Sequence, residues 1–197
     1  MRKRLAKLTS DILNPFLVSS TVIILFSFES TASTSEALKW LAISLALSVL
    51  PVFIAVVYLV RKQKLDSIFV SSRRQRKGIY LLAIGWAIVD CAVLPYLGAP
   101  RLLVATFTAG LAGIVIFMVI NLWWKISLHT AFVAASVTVL IIVYGATGAL
   151  TAVLLPPVAW ARLEMEHHSP AQVASGALLA AAIVVLVFQL FGLIGMG

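Results

Sequence analysis

Cysteine and charge are what this chain has least of. Its single cysteine, Cys91, excludes an intrachain disulfide and any cysteine-based metal site. Only 11% of the residues are charged, where a soluble domain carries roughly 25%. Acids are the scarcer sign, with 7 Asp and Glu against 15 Lys and Arg. What fills the sequence instead is apolar: 62% of the 197 residues are hydrophobic, and the mean hydropathy is +1.09. A water-soluble fold is excluded, because most of such a surface must face lipid. In lipid every backbone polar group needs a partner within its own helix or within a closed barrel. The apolar runs are continuous rather than alternating, which selects helices over a barrel. The expectation is an all-α, polytopic transmembrane helical bundle, one integral membrane domain over residues 1–197. No internal repeat and no low-complexity segment interrupts it. The formal charge of +8 does not call for nucleic acid, since Lys and Arg of membrane proteins gather in cytoplasmic loops and meet anionic headgroups.

The apolar pattern predicts about seven spans (six to seven), at 12–28, 37–60, 79–98, 102–122, 128–145, 148–163 and 171–195. Gly98, Pro100, Gly145 and Gly148 mark tight turns between them. The stretch from His129 to Arg162 decides the number. As one helix its roughly 33 residues would run about 50 Å, against a hydrocarbon core of about 30 Å. A hairpin turning at Gly-Ala-Thr-Gly fits instead. Its returning limb contains Pro156-Pro157 and is expected to be kinked or tilted.

Parity and charge then orient the chain. With seven spans, the breaks after the second, fourth and sixth all fall on one side. These are the basic loop from Arg61 to Lys77, the WKISLHT segment around His129, and the WARLEMEHHSPAQ segment from Trp160 to Gln172. Merging the hairpin into one helix would put His168 opposite His129. The same side holds Arg2, Lys3, Arg4 and Lys7, and of the 15 basic residues only Lys39 and Arg101 fall on the other. By the positive-inside bias that side is cytoplasmic and the C-terminus lies outside. A basic start before an apolar run also fits a signal peptide, with Ser30 to Ser33 as small residues near a cleavage point. No clear small-x-small site stands there, so an uncleaved first helix is the expectation.

Ionisable residues at the edge of so apolar a chain are expensive to keep. Three breaks rich in Arg, Lys and His suggest a site for a phosphate, whose oxygens need cationic donors in fixed geometry; Arg offers two at once. The first break reads RKQKLDSIFVSSRRQRK, and as a positive-inside loop most of its basic residues need no further reason. In the second, Ser127 precedes His129 at a helix start. Ser127 either adds to an anion site at that helix N-terminus or simply caps it. His129 is either a catalytic group or an ordinary interfacial histidine. In the third, Arg162 and His168 flank a turn with Glu164 and Glu166. His167 and His168 are adjacent and so are not expected to point into one site together. Zinc is disfavoured, because the His and Glu residues lack the spacing of a ligand pair and cations crowd them. No cofactor is implied.

Together these breaks resemble the signature of the type-2 phosphatidic acid phosphatase superfamily. That pattern runs Lys then Arg-Pro, then PSGH, then Ser-Arg, five residues, His, three residues, Asp. Here the third motif reads Ala161-Arg162, five residues, His168, three residues, Gln172. The second survives as Ser127-Leu128-His129, without the family's proline and glycine. The first maps loosely onto Lys64, Arg73 and Arg76, with Lys77 where proline is usual. WKISLHT and HSPAQVASG are similar to a prokaryotic branch in which Gln replaces the last Asp. The resemblance covers roughly residues 61–176.

The resemblance implies a metal-independent membrane enzyme acting on a lipid phosphate or diphosphate. His168 would be the nucleophile and form a phosphohistidine. His129 would protonate the leaving oxygen and then activate water. Lys64, Arg73, Arg76, Ser127 and Arg162 would hold the phosphate oxygens. Gln172 would orient His168 in place of the family's aspartate, keeping the hydrogen bond but not the charge; Glu164 or Glu166 is a candidate source of that charge. Lys125 is a further phosphate contact or an interfacial lysine. The alternative is a catalytically silent member that binds or transports a lipid phosphate. The implied partners are the lipid phosphate and the bilayer of a prokaryotic plasma membrane. Outside the motifs, Asp90 is the one acid deep in an apolar run, expected to pair with a hydroxyl or amide of a neighbouring helix. Gly110 and Gly113 are expected to allow close helix packing.

Overall fold

The computed structural model describes residues 1–65 and 73–195, with the side chains of Arg73 and Arg74 outside the description. Every regular element among the described residues is helical. In order they are α1 (Arg2–Ile12), α2 (Pro15–Glu29), α3 (Thr34–Leu47), α4 (Val49–Arg61), α5 (Arg73–Tyr96), α6 (Arg101–Asn121), α7 (Leu128–Tyr144), α8 (Ala146–Ala149), a 3-10 segment (Leu150–Leu154), α9 (Leu155–Glu164) and α10 (Pro170–Leu190). The all-α class read from the sequence is the observed one. Six stretches are long and apolar enough to cross a membrane: Arg2–Glu29, Thr34–Arg61, Gln75–Tyr96, Arg101–Asn121, Ala146–Glu164 and Pro170–Leu190. The seventh, α7, is apolar but only 17 residues long.

Local chemistry explains where the long stretches break. Between α1 and α2, the Asn14 side chain accepts the Leu17 amide at 3.0 Å, and Pro15 opens α2 where its missing N–H costs nothing. The chain N-terminal to residue 12, read from the sequence only as a basic flank, is therefore a separate helix. Between α3 and α4, Pro51 cannot donate to the carbonyl of Leu47 and its ring crowds that carbonyl, so the helix reorganises at Ser48. Pro156 and Pro157 stand in the first turn of α9, and the turn before them tightens into the 3-10 segment. The irregular returning limb expected from these prolines takes that form.

The chain gathers into two compact units, residues 23–124 and residues 1–22 with 125–197. In the first, α3 packs on α4, both meet α5, and α5 packs along α6. Asp90 on α5 is 2% exposed, and its Oδ1 has no hydrogen-bond partner among the described residues, so the expected pairing with a hydroxyl or amide is not seen there.

In the second unit α7 lies along α10, α1 packs on α9, and α7 turns back on the α8–α9 limb. A Cβ at Gly148 would overlap the carbonyl of Leu140, so only glycine lets the two limbs of the hairpin approach so closely. Val133, Val137 and Val158 form a core there, with Leu13, Val18, Ala152 and Leu155 packed against it. On α10 the buried residues Val173, Gly176, Ala180, Ile183, Val184 and Val187 follow a helical period, while Leu178, Leu186 and Leu190 face outward. Lipid tails are as apolar as these side chains, so burial alone drives little; close packing at small residues and polar ties between helices hold such a unit together.

Candidate functional site

Arg162 occupies the last turn of α9 and is 3% exposed. Its Nη1 donates to Ser10 Oγ of α1 at 2.8 Å, and its Nη2 lies 3.0 Å from His167 Nδ1. A guanidinium only donates, so His167 Nδ1 must accept, which puts the proton of a neutral His167 on Nε2. The two histidines thus have separate tasks: His167 turns back to Arg162, while His168 turns to α10.

The chain leaves α9 through Glu166, whose φ of 56 is left-handed and unfavourable for a residue with a side chain. Two contacts offset that strain. The Glu166 amide donates to Leu163 O at 2.9 Å, and Lys3 Nζ donates to Glu166 Oε1 at 2.8 Å. The Lys3 ammonium, by hydrogen bond and charge, holds the Glu166 carboxyl below its ordinary range. Glu164 meets Arg2 at 3.3 Å. Both acids once considered as a source of charge for His168 are therefore engaged by α1.

Ser169 caps α10 in a capping box with Gln172, and Pro170 fills the first helical position. Gln172 Oε1 accepts the Ser169 amide at 3.2 Å and lies 3.2 Å from His168 Nδ1. Because a backbone N–H donates to this atom, it must be the amide oxygen and not the nitrogen. His168 Nδ1 therefore carries the proton, and the lone pair of the neutral ring is on Nε2. His168 is 7% exposed.

The start of α7 is tied to the same turn. The Ser127 amide donates to Gln172 O at 3.3 Å, and Thr130 Oγ1 donates to Ser127 O at 3.1 Å and Val173 O at 3.3 Å. Lys125 Nζ donates to His167 O at 2.9 Å. Gly176 makes the approach possible: a Cβ there would stand 2.7 Å from Ser127 O and 3.2 Å from Thr130 Oγ1. His129, in the first turn of α7, is buried. Ser127 occupies the N-cap position but its side chain makes no cap bond; Oγ is fully buried without a hydrogen-bond partner among the described residues. Of the two readings of Ser127, the side-chain cap is not formed.

The structure thus brings Ser127, His129, Arg162, His168 and Gln172 together in one unit, with the WKISLHT and WARLEMEHHSPAQ segments bound to each other. The first motif belongs to the other unit. Lys64 is exposed in the turn after α4, and Arg76 is buried in the first turns of α5, one turn before the equally buried Tyr80. Arg73 begins α5, but its side chain lies outside the described residues.

The contacts that Ser10, His167, Gly176 and Lys3 make in this site are not legible in the sequence. Ser10 has only a faint signal, a small residue one turn after Ala6. His167 is set aside in the sequence because adjacent side chains are not expected to point into one site. No protein-family model, no curated protein and no solved structure matches the chain.

Proposed function

We propose that this protein is a membrane-embedded lipid phosphatase, hydrolysing a lipid phosphate or diphosphate through a phosphohistidine, as a member of the type-2 phosphatidic acid phosphatase superfamily that its motifs resemble. The observation that carries the reading is the tautomer of His168. Gln172 Oε1 accepts the hydrogen bond of His168 Nδ1–H, so Nε2 presents its lone pair from a buried position in the unit that also holds Arg162, His129 and Ser127.

In the proposed reaction His168 Nε2 attacks phosphorus and the P–O bond to the lipid breaks. The leaving lipid oxygen, an alkoxide from a monophosphate or a phosphate oxygen from a diphosphate, takes a proton from the His129 imidazolium. Neutral His129 then removes a proton from water, whose oxygen attacks the phosphohistidine and frees His168 and inorganic phosphate. Near neutral pH both forms of imidazole are accessible, which suits this alternation. Arg162, the amides at the start of α7 and Ser127 Oγ would stabilise the charge developing on the phosphoryl oxygens. Lys64, Arg73 and Arg76 are proposed as further cationic donors. The family's aspartate would stabilise a charged His168; an amide oxygen orients the ring without that stabilisation.

By charge bias the site faces the cytoplasm of a prokaryotic plasma membrane, with the C-terminus outside. The lipid tail stays in the bilayer. Polyprenyl phosphates and diphosphates, polyprenyl-linked sugar phosphates, phosphatidate and phosphatidylglycerol phosphate are the candidate substrates, and a cytoplasmic site favours a biosynthetic intermediate. The test is phosphate release from a panel of these lipids in detergent, comparing the wild type with His168→Ala and His129→Ala. Turnover lost in both variants and blocked by vanadate supports the mechanism. Turnover that survives both substitutions overturns it. No turnover on any substrate favours a silent member that binds or transports the lipid phosphate.

A further inference from the structure

Three sets of residues divide the surface of α1. On a helix of about 3.6 residues per turn, Ala6 and Ser10 share the face buried against α9. Leu5, Leu8 and Ile12 share a second face and are 49%, 56% and 56% exposed. Arg4, Lys7 and Asp11 occupy a third, also away from α9. Lys3 and Arg2 are held by Glu166 and Glu164, which leaves Arg4 and Lys7 as cations at the border of the leucine face. An exposed aliphatic stripe beside basic residues is the pattern of a helix that lies in a bilayer surface. Position agrees with pattern, because α1 leads through Leu13 and Asn14 directly into the apolar run of α2.

We propose that α1 docks on an anionic lipid surface. Leu5, Leu8 and Ile12 enter the boundary between headgroups and acyl chains, and Arg4 and Lys7 meet the lipid phosphates. Docking then has a second effect through the buried face. Ser10 Oγ accepts from Arg162, and Arg2 and Lys3 grip the turn that follows α9. A helix anchored on the leaflet therefore holds the guanidinium in place, and Ser10 is a positioning residue for it. The docking stands by itself; the effect on catalysis rests on the phosphatase reading.

The experiment uses the full chain with Cys91→Ala and single cysteines introduced as Arg4→Cys, Leu5→Cys, Lys7→Cys, Leu8→Cys, Asp11→Cys or Ile12→Cys. Each carries a polarity-sensitive fluorophore and is reconstituted in phosphatidylcholine vesicles with or without phosphatidylglycerol. Labels at 5, 8 and 12 are expected to be quenched by lipids brominated near the headgroup, and labels at 4, 7 and 11 by iodide. Phosphatidylglycerol should strengthen lipid quenching at 8, and combining Arg4→Gln with Lys7→Gln should remove that gain. Lipid quenching at all six positions would make α1 the start of a spanning helix and overturn the proposal. Iodide quenching at all six would place it in water, and protection from both quenchers at 5, 8 and 12 would assign the face to a second copy of the chain. Insensitivity to phosphatidylglycerol would remove the anionic partner. In turnover assays Ser10→Ala should lower kcat about 10-fold with KM nearly kept, the loss of a hydrogen bond to a charged group that acts in the transition state, and Ser10→Thr should restore it. An unchanged kcat would overturn the link to Arg162. An inactive wild type with the fluorescence pattern intact would defeat the phosphatase reading and leave the docking standing.

Discussion

Gln172 Oε1 accepts at once from the Ser169 backbone and from His168 Nδ1, each at 3.2 Å. One amide oxygen thus closes a helix cap and fixes an imidazole tautomer. The cap confines the glutamine rotamer, and the confined rotamer confines the ring.

Replacing that oxygen by a charged one separates the two tasks. Gln172→Glu keeps a capping-box residue and adds a carboxylate beside the imidazole, which favours the charged ring and raises its pKa. The acid limb of the pH–rate profile should then move to higher pH, because His168 must be neutral to attack. Gln172→Leu removes both bonds and should cost about 1 kcal/mol in stability for the cap, with a fall in kcat. Profiles of kcat against pH and melting in detergent distinguish the two.

Arg162 should not tolerate lysine. Its Nη1 and Nη2 reach different partners, Ser10 and His167, and one ammonium lacks that fork. Arg162→Lys is expected to lower kcat/KM roughly 100-fold, in the range for loss of one transition-state donor. His167→Ala leaves the cation but removes an acceptor, and should have a smaller effect. Steady-state kinetics on the best lipid phosphate of the panel make the comparison.

Gly176→Ala should push α10 away from the start of α7, since its Cβ would meet the Ser127 carbonyl, which cannot rotate aside. The expected cost is about 1–3 kcal/mol, typical of overpacking, with loss of turnover. Melting in detergent reads the first and phosphate release the second. A neutral Gly176→Ala would show that the two helix starts need no such closeness.

The Lys3–Glu166 contact predicts a pH dependence at α1. The Glu166 carboxyl is held below its ordinary value, so its contribution is complete above the unfolded value and is lost as pH falls through the folded one. Acidification below the ordinary glutamate range of about 4 should loosen α1. Hydrogen exchange of residues 2–12 should rise there in the wild type and be raised already at neutral pH in Glu166→Gln, with a weaker dependence on acid. High salt should mimic part of the effect, as the pair is exposed.

The apolar runs alone determined that the chain is helical and spans a membrane, because a backbone in lipid has no other way to satisfy its polar groups. The hairpin between His129 and Arg162 was legible for the same reason: its length overshoots a bilayer and glycines stand at its middle. The spacing of Arg162, His168 and Gln172 was legible too, since the arrangement is local to one turn. Tertiary structure alone decided what supports that turn. Ser10 reaches Arg162 across 152 residues, and nothing in a serine of a basic helix announces its partner. The same holds for Gly176, whose importance lies in a carbonyl on another helix. Local periodicity encodes which residues face inward, whereas the identity of what they meet depends on how separate helices come together. For the Arg162–His168 segment that meeting supplies its arginine with Ser10 and its glutamates with Arg2 and Lys3 of α1.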